Sequence, residues 1–267
     1  MNWTRYFRFT KNSIQKNLSY RANVLLYLFG NLVQTLVLYY LWKAIFDSAG
    51  GGTLNGFNFN QMVAYLLATV AVQSVINGNA EEIIAEEIME GSIAFNLARP
   101  IEYRARVFFD HLGVSLYNLF AAGIPALVVA LIVTRDSAGA VLERALAFSV
   151  SLVLSFVLVF FYKFCLGLIA FITTNMWGVL NVEAVVSGFL SGALIPIAFF
   201  PEWARGVAGI MPFASMVSAP ALTFTGRLAG SDLAYVIGIQ IAWVLFFAGL
   251  SSLAWSTLSR RLAVNGG

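Results

Sequence analysis

Seven of the thirteen acidic residues lie between residues 80 and 111, in an otherwise apolar chain. On a helix, Glu82, Glu86 and Glu90 lie at i, i+4 and i+8 and share one face. Like charges at this spacing oppose each other by about 0.2–0.5 kcal/mol per pair, so an isolated helix gains nothing from them. A basic partner surface would remove that penalty. The alternative is a solvated amphipathic helix on the inner membrane surface, although anionic lipid repels an acidic face.

Catalytic and metal chemistry find little support in the sequence. The tripeptides that end a P-loop, Gly-Lys-Ser and Gly-Lys-Thr, do not occur in the sequence. If ATP powers this protein, another polypeptide must therefore hydrolyse it. The one histidine, His111, argues against a histidine-built metal site and against an intramembrane protease. The one cysteine, Cys165, excludes an intrachain disulfide. We therefore expect no catalytic residue, no metal and no cofactor on this chain.

Two charged residues lie near the ends of predicted membrane spans. Lys163 is about 26 Å along a helix that begins at residue 146, where its ammonium group can reach water. Glu183 follows across a short connection and lies near the same boundary. The two side chains either form an ion pair or are hydrated independently.

The composition is that of an all-α membrane protein. Of the 267 residues, 60% are apolar and 11% charged, whereas a soluble domain has roughly 25% charged residues. A span of the hydrocarbon core needs about 20 apolar residues, so the chain forms a single transmembrane domain with room for six spans. We predict spans over residues 24–45, 61–78, 112–133, 146–172, 179–200 and 233–257.

Basic residues predict the orientation of these spans. Ten of them fall in the amino-terminal segment, the loop after the second span and the carboxyl terminus: Arg5, Arg8, Lys11, Lys16, Arg21, Arg99, Arg104, Arg106, Arg260 and Arg261. Since cytoplasmic segments are enriched in Lys and Arg, both termini are predicted to be cytoplasmic. The net charge of +3 is small, and nucleic acid is not an expected partner.

Two further segments are predicted to lie at the membrane surface. Residues 1–22 place aromatic and basic side chains on different arcs of a helix, which is typical of an interfacial helix; the alternative is a solvated leader. The proline-rich stretch 201–225 holds apolar pieces too short to span the membrane. It predicts short external re-entrant helices buried against protein, or simply a folded external loop.

The run Ile-Met-Glu-Gly-Ser-Ile-Ala-Phe-Asn-Leu-Ala-Arg-Pro at residues 88–100 resembles the Ile-x-x-Gly-x-Ile-Ala-x-x-Leu-x-Arg-Pro signature of an ABC-2-type permease family. The outer segment of that family is echoed by Ile195-Pro196, Phe200-Pro201-Glu202-Trp203 and Met211-Pro212-Phe213. The resemblance covers essentially the whole chain, from the amphipathic leader through six spans.

The resemblance implies the transmembrane half of an ATP-binding cassette exporter. Such exporters pair two permease chains, identical or paralogous, with two separate ATPase chains that bind ATP and Mg²⁺. Residues 81–97 would be the coupling helix, ended by Arg99-Pro100. The side chains expected to face the ATPase are Glu82, Glu86, Glu87 and Glu90, with Gly91 in the motif, whereas Ile84, Ile88 and Phe95 would pack toward the permease.

In this family, spans one and five line the transport path or the seam between the two permease chains. Span one carries Asn31, Gln34 and Thr35 within one turn, which either line a path or make interhelical hydrogen bonds. Span five carries two interleaved small-x-x-x-small pairs, which permit close approach of helices. These pairs, Ser187 with Ser191 and Gly188 with Gly192, serve either the seam or ordinary packing within the chain.

The sequence gives less direct information about the cargo and about the membrane in which the protein lies. Few charges line the spans, so we expect an amphipathic or apolar cargo, with membrane lipid as a further partner. The family resemblance and the proline-rich outer segment imply that the cargo moves outward. A bacterial plasma membrane is the expected location. The rival classes are an ion-coupled secondary transporter or channel, which commonly shows internal repeats, and a membrane-anchored scaffold that uses the acidic helix only for binding.

Overall fold

The computed structural model describes residues 3–19, 21–97, 99–135, 138–173 and 175–265, and within them the fold is all helical apart from one isolated bridge between Leu54 and Phe57. The α-helices are α1 (Trp3–Ser19), α2 (Arg21–Ser48), α3 (Phe59–Ile76), α4 (Ala80–Met89), α5 (Ile93–Leu97), α6 (Tyr103–Asn118), α7 (Ile124–Thr134), α8 (Ala138–Gly167), α9 (Met176–Leu190), α10 (Glu202–Ile210), α11 (Pro212–Met216), α12 (Ser218–Phe224) and α13 (Gly230–Asn265). A π-helical turn joins α6 to α7, and a 3-10 turn extends α8.

Five helical stretches in the described residues are long and apolar enough to cross a membrane. They are Leu25–Ser48, Phe59–Met89, Tyr103–Thr134, Gly139–Phe171 and Gly230–Ser259. They correspond to five of the six predicted spans and confirm an all-α protein of the multi-pass membrane class. The third begins nine residues earlier than predicted, so Arg104 and Arg106 lie on its helix rather than in a loop.

The predicted span over residues 179–200 is wrong in its second half. Helix α9 has 15 residues and is therefore about 22 Å long, shorter than a hydrocarbon core of about 30 Å. The helix ends at its cap, Ser191, because Gly192 adopts the left-handed φ of +79° and Pro196 follows closely. The apolar residues after it form turns against the rest of the chain.

Helix α3 is the central element of the bundle. A capping box starts it, in which Gln61 N donates to Asn58 Oδ1 at 2.8 Å and Asn58 N donates to Gln61 Oε1 at 3.1 Å. Most of its side chains are buried, and Tyr65 is fully inaccessible. Its helix stops at Ile76, and the Asn77-Gly78-Asn79 segment redirects the chain into α4.

Helix α1 packs along α6, and the face that it buries carries polar side chains as well as an aromatic one. The buried residues are Tyr6, Thr10 and Ser13, and Thr10 Oγ1 donates to the carbonyl of Phe109 at 2.7 Å. The backbones approach closely because α6 presents Gly113, where a Cβ would lie 2.6 Å from the carbonyl oxygen of Thr10. The described basic side chains of this helix, Arg5, Arg8, Lys11 and Lys16, are exposed. The side chain of Arg21, which is among the ten basic residues that predict the orientation, lies outside the described residues.

The proline-rich segment forms three short α-helices, α10, α11 and α12. Helix α10 exposes Trp203, Val207 and Ile210, whereas α11 and α12 are largely buried between α3, α8 and α13. Pro212 occupies the first turn of α11, where a missing N–H costs nothing. Helices α11 and α12 are therefore buried against protein, while the placement of this segment on the outer face of the membrane stays a prediction.

A buried polar network fixes α11 to α8 and α13. The two N–H bonds of Gln240 Nε2 are shared among three acceptors, the carbonyls of Ser151 and Ser215 at 3.2 and 2.9 Å and Ser155 Oγ at 3.0 Å. In return, Ser151 Oγ donates to Gln240 Oε1 at 3.0 Å. The Gln240 amide is therefore fully satisfied, and it cross-links three helices at a point that water does not reach.

Replacing Gln240 with leucine is expected to lower the free energy of unfolding by about 1–3 kcal/mol, because buried hydroxyl and carbonyl groups lose their partner. Thermal unfolding in lipid nanodiscs measures this loss. The same substitution at Gln15, which is exposed on α1, is the matched control and should change little. Equal unfolding temperatures for the two variants would show that the network does not hold these helices together.

Candidate functional site

Helix α4 projects a row of acidic side chains away from the bundle. Its opposite face, including Ala80, Ile84 and Ala85, is buried against α6, α8 and the turn that follows α8. The i, i+4, i+8 spacing predicted that Glu82, Glu86 and Glu90 share a face, and all three are exposed. The helix forms despite the repulsion among its acids because burial of its apolar face stabilises it.

Helix α5 adds an apolar side chain beside these acids. The predicted single helix over residues 81–97 is broken at Gly91, whose φ of +74° turns the chain and separates α4 from α5. After this turn Ile93 is buried, while Phe95 is 77% exposed. The expectation that Phe95 packs toward the bundle is therefore wrong. Met89 is also exposed, and we call Glu82, Glu86, Met89, Glu90 and Phe95 together the acidic surface.

Arg99 and Pro100 follow directly after α5. Both are exposed and lie in a bend, with α5 ending at Leu97, as expected for the residues before a proline. Residue 98 of the motif lies outside the described residues. The arginine and proline of the motif thus mark the end of the element rather than contribute to the core.

Glu87 faces inward rather than toward a partner, which corrects its predicted role. Its carboxylate pairs with Arg106, with Oε1 2.6 Å from Nη2, and it accepts a hydrogen bond of 2.8 Å from the Tyr103 hydroxyl. Arg106 also stacks over the Tyr103 ring at 5.0 Å. Because both partners are on α6, this cluster ties α4 to α6.

The predicted pair between Lys163 and Glu183 is replaced by a pair between Lys163 and Glu81. Lys163 Nζ lies 2.6 Å from Glu81 Oε1 and donates to the carbonyl of Gly78 at 2.7 Å. The break between α3 and α4 causes this arrangement, since it leaves the Gly78 carbonyl without a helical partner and places Glu81 beside α8. The interaction ties α4 to α8.

The α3–α4 break is also sterically specific. A Cβ at Gly78 would collide with the imidazole of His111, which is fully buried on α6. Sequence reasoning missed this contact and the Glu81 pair, although Asn-Gly-Asn within an apolar helix is a turn signal that could have indicated the break.

The predicted path residues of α2 lie against α3. Asn31, Gln34 and Thr35 line a small cleft with Thr69 and Gln73 of α3. Asn31 Nδ2 donates to the carbonyl of Tyr27 at 3.0 Å, and Thr35 Oγ1 donates to the carbonyl of Asn31 at 2.7 Å. The polar groups of these two side chains are thus bonded within α2, and the cleft brings polar groups of both helices together.

Two elements, α2 and α9, leave most of their apolar side chains exposed. On α2 the exposed residues include Leu25, Leu26, Phe29, Leu32, Val33, Leu36, Val37, Tyr40 and Leu41, and on α9 Trp177, Val182, Val185, Val186 and Phe189. Contiguous apolar surface of this extent is covered by lipid or by another protein in a membrane.

The small residues of α9 serve different purposes. Ser187 and Gly188 are half-buried at a cleft, and Gly188 has open space where a Cβ would lie. Ser191 is buried, and Gly192 packs within the chain, where its carbonyl accepts a 2.8 Å hydrogen bond from the Tyr65 hydroxyl. Intrachain packing therefore accounts for Ser191 and Gly192.

Three basic segments of the chain meet at the end of the bundle that carries α4. Glu102 N, in the loop before α6, donates to the Tyr6 hydroxyl of α1 at 3.2 Å. Tyr103 stacks on Trp255 near the carboxyl end of α13, with ring centroids 4.8 Å apart. The amino-terminal helix, the loop after the second span and the carboxyl-terminal helix therefore share one end of the bundle, while the cytoplasmic location of that end stays a prediction.

Comparison with known proteins identifies the family of the chain. No curated protein matches the chain. The model of the family described as ABC-2 family transporter protein matches residues 32–266, which include the acidic surface, the long apolar helices and the proline-rich segment. The chain therefore belongs to the ABC-2 transporter family, as a multi-pass membrane protein of its permease type.

Proposed function

We propose that the chain is the permease subunit of an ATP-binding cassette exporter and that two copies of a separate ATPase chain drive it. The acidic surface carries this proposal. Among the residues that the structure describes, no basic side chain pairs with Glu86 or Glu90, and Phe95 on the following helix is exposed. A basic ATPase cleft with an apolar floor would neutralise the acids and bury the ring.

The ion pairs behind the acidic surface supply the route by which force reaches the spans. Glu87 joins α4 to Arg106 on α6, and Glu81 joins it to Lys163 on α8. Closure of the ATPase chains on ATP and Mg²⁺ then moves α4 as a rigid element. Because α4 is joined to both α6 and α8, these two helices move with it, and this motion switches the transport path between two states.

A second permease chain, identical or paralogous, completes the transporter by covering α2, whose exposed apolar face supports this assignment. Asn31, Gln34 and Thr35 would then lie beside the path, which α9 also lines. The end that carries α4 faces the cytoplasm of a bacterial cell, because the basic segments gather there. The cargo is amphipathic or apolar, and it moves outward across the plasma membrane.

Affinity purification of the tagged chain from its native membrane in mild detergent, with mass spectrometry of what accompanies it, tests the proposal. We expect a stoichiometric chain that contains a Walker A sequence, and one further permease chain. Recovery of the chain alone at every salt concentration would overturn the ATP-driven account and favour an ion-coupled transporter or channel, which ion-flux measurements in vesicles would then examine.

A further inference from the structure

A small cleft that holds several polar side chains lies between α3, α8, α9 and α11. It has a volume of about 80 Å³ and is lined by Gln73, Asn77, Lys163, Glu183 and Ser187, among others. By this measure a single water needs only about 10–15 Å³, so the cleft can admit a small polar group but not a long apolar chain. Polar side chains from three apolar helices thus converge on one small space.

The charges at this cleft do not balance. Lys163 is neutralised by Glu81 at 2.6 Å, and its ammonium group also donates to the Gly78 carbonyl. Glu183 is half-buried beside the Tyr162 hydroxyl, and no described basic side chain lies within ion-pair distance of it. Because Lys163 and Glu81 neutralise each other, Glu183 leaves one uncompensated negative charge at the cleft. A half-buried charge of this kind is costly unless a cation binds to it.

The surface next to the cleft is apolar. Val182, Val185, Val186 and Phe189 are exposed on α9, the helix that carries Glu183. A molecule whose charged group enters the cleft can therefore lay an apolar tail along this helix. An anionic group would instead meet Glu183 and would find Lys163 already paired.

We propose that this cleft binds the cationic head of an amphiphile, with Glu183 as its counter-charge and α9 as the support for its apolar tail. As an assignment of cargo, this inference rests on the transport function proposed above. It narrows the amphipathic cargo to molecules that carry one positive charge, such as an alkylammonium.

Decyltrimethylammonium is a suitable probe, with decanesulfonate as the anion of matched chain length. Calorimetric titration of each into the purified chain in phosphatidylcholine nanodiscs, with empty nanodiscs subtracted, measures binding without any ATPase. We expect saturable binding of the cation and not of the anion. Glu183→Gln should weaken cation binding about tenfold or more, while Glu183→Asp, which keeps the charge, should restore most of it.

Glu202→Gln removes an exposed carboxylate on α10 and is the matched control, which should bind as the wild type does. Thermal unfolding of each variant shows whether the fold is retained. Equal affinity of the wild type and Glu183→Gln for the cation, or equal affinity of the wild type for both probes, would overturn the inference. Because this assay needs no nucleotide, its failure is distinct from failure to recover an ATPase partner.

Discussion

Replacing both Glu86 and Glu90 with lysine is expected to reduce permease-stimulated ATPase activity and export to less than about a tenth of the wild-type values. The two substitutions change the charge of the acidic surface by four units, so a basic ATPase cleft that the acids attract would repel the variant. Both side chains are exposed, and the fold should therefore persist. ATPase assays and transport assays on the reconstituted complex measure the effect.

Two exposed glutamates elsewhere provide the matched controls. Glu143 on α8 and Glu202 on α10 lie outside the acidic surface, and the Glu143→Lys/Glu202→Lys variant carries the same change of charge. It should retain near wild-type coupling, and both variants should unfold near the wild-type temperature. Full ATPase stimulation and export by the Glu86→Lys/Glu90→Lys variant would show that the acidic surface is not where the ATPase binds.

Replacing Lys163 with methionine is expected to give the largest loss of stability, about 3–5 kcal/mol. The substitution leaves the carboxylate of Glu81, which is 8% exposed, without its cation, and removes the donor to the Gly78 carbonyl. Removing one partner of a buried ion pair costs this much because the other charge stays buried. Denaturant unfolding in mild detergent, compared with the wild type, measures the loss.

A second substitution separates this charge effect from a simple packing effect. The double variant Lys163→Met/Glu81→Gln also removes the Glu81 carboxylate that Lys163→Met leaves unpaired. It should therefore recover much of the stability that Lys163→Met loses. Lys11→Met, at an exposed position of α1, is the matched control. If Lys163→Met were as stable as the wild type, the pair would not anchor α4 to α8.

Local pattern was enough to predict the outward face of α4. The side chains of Glu82, Glu86 and Glu90 follow a period that depends only on helical geometry, and the structure exposes all three. The same reasoning located five long apolar helices, because length and hydropathy are also local properties.

The partners of buried charges could not be predicted in this way. Glu87 is adjacent in sequence to Glu86, yet it pairs with Arg106 because α6 lies against that side of α4. Glu81 meets Lys163 only because the chain breaks at Asn77–Asn79 and redirects α4 toward α8. Both pairs depend on where one helix ends and on which helix packs beside it.

Backbone geometry also limited the prediction of the fifth span and of the coupling segment. Residues 179–200 are apolar enough for a span, but Gly192 takes a left-handed conformation and the helix has already ended. Gly91 acts in the same way between α4 and α5, and it turns Phe95 outward. Composition does not record which glycines adopt a positive φ.

Site-specific photo-cross-linking from position 86 tests the central claim most directly. A benzoylphenylalanine at Glu86, activated in native membranes, should form a cross-link to a chain that contains a Walker A sequence, while the same group at the exposed Glu143 should not. If the probe at position 86 formed cross-links only to lipid or to this chain while export continued, the claim would be contradicted, because the acidic surface would have no ATPase bound to it.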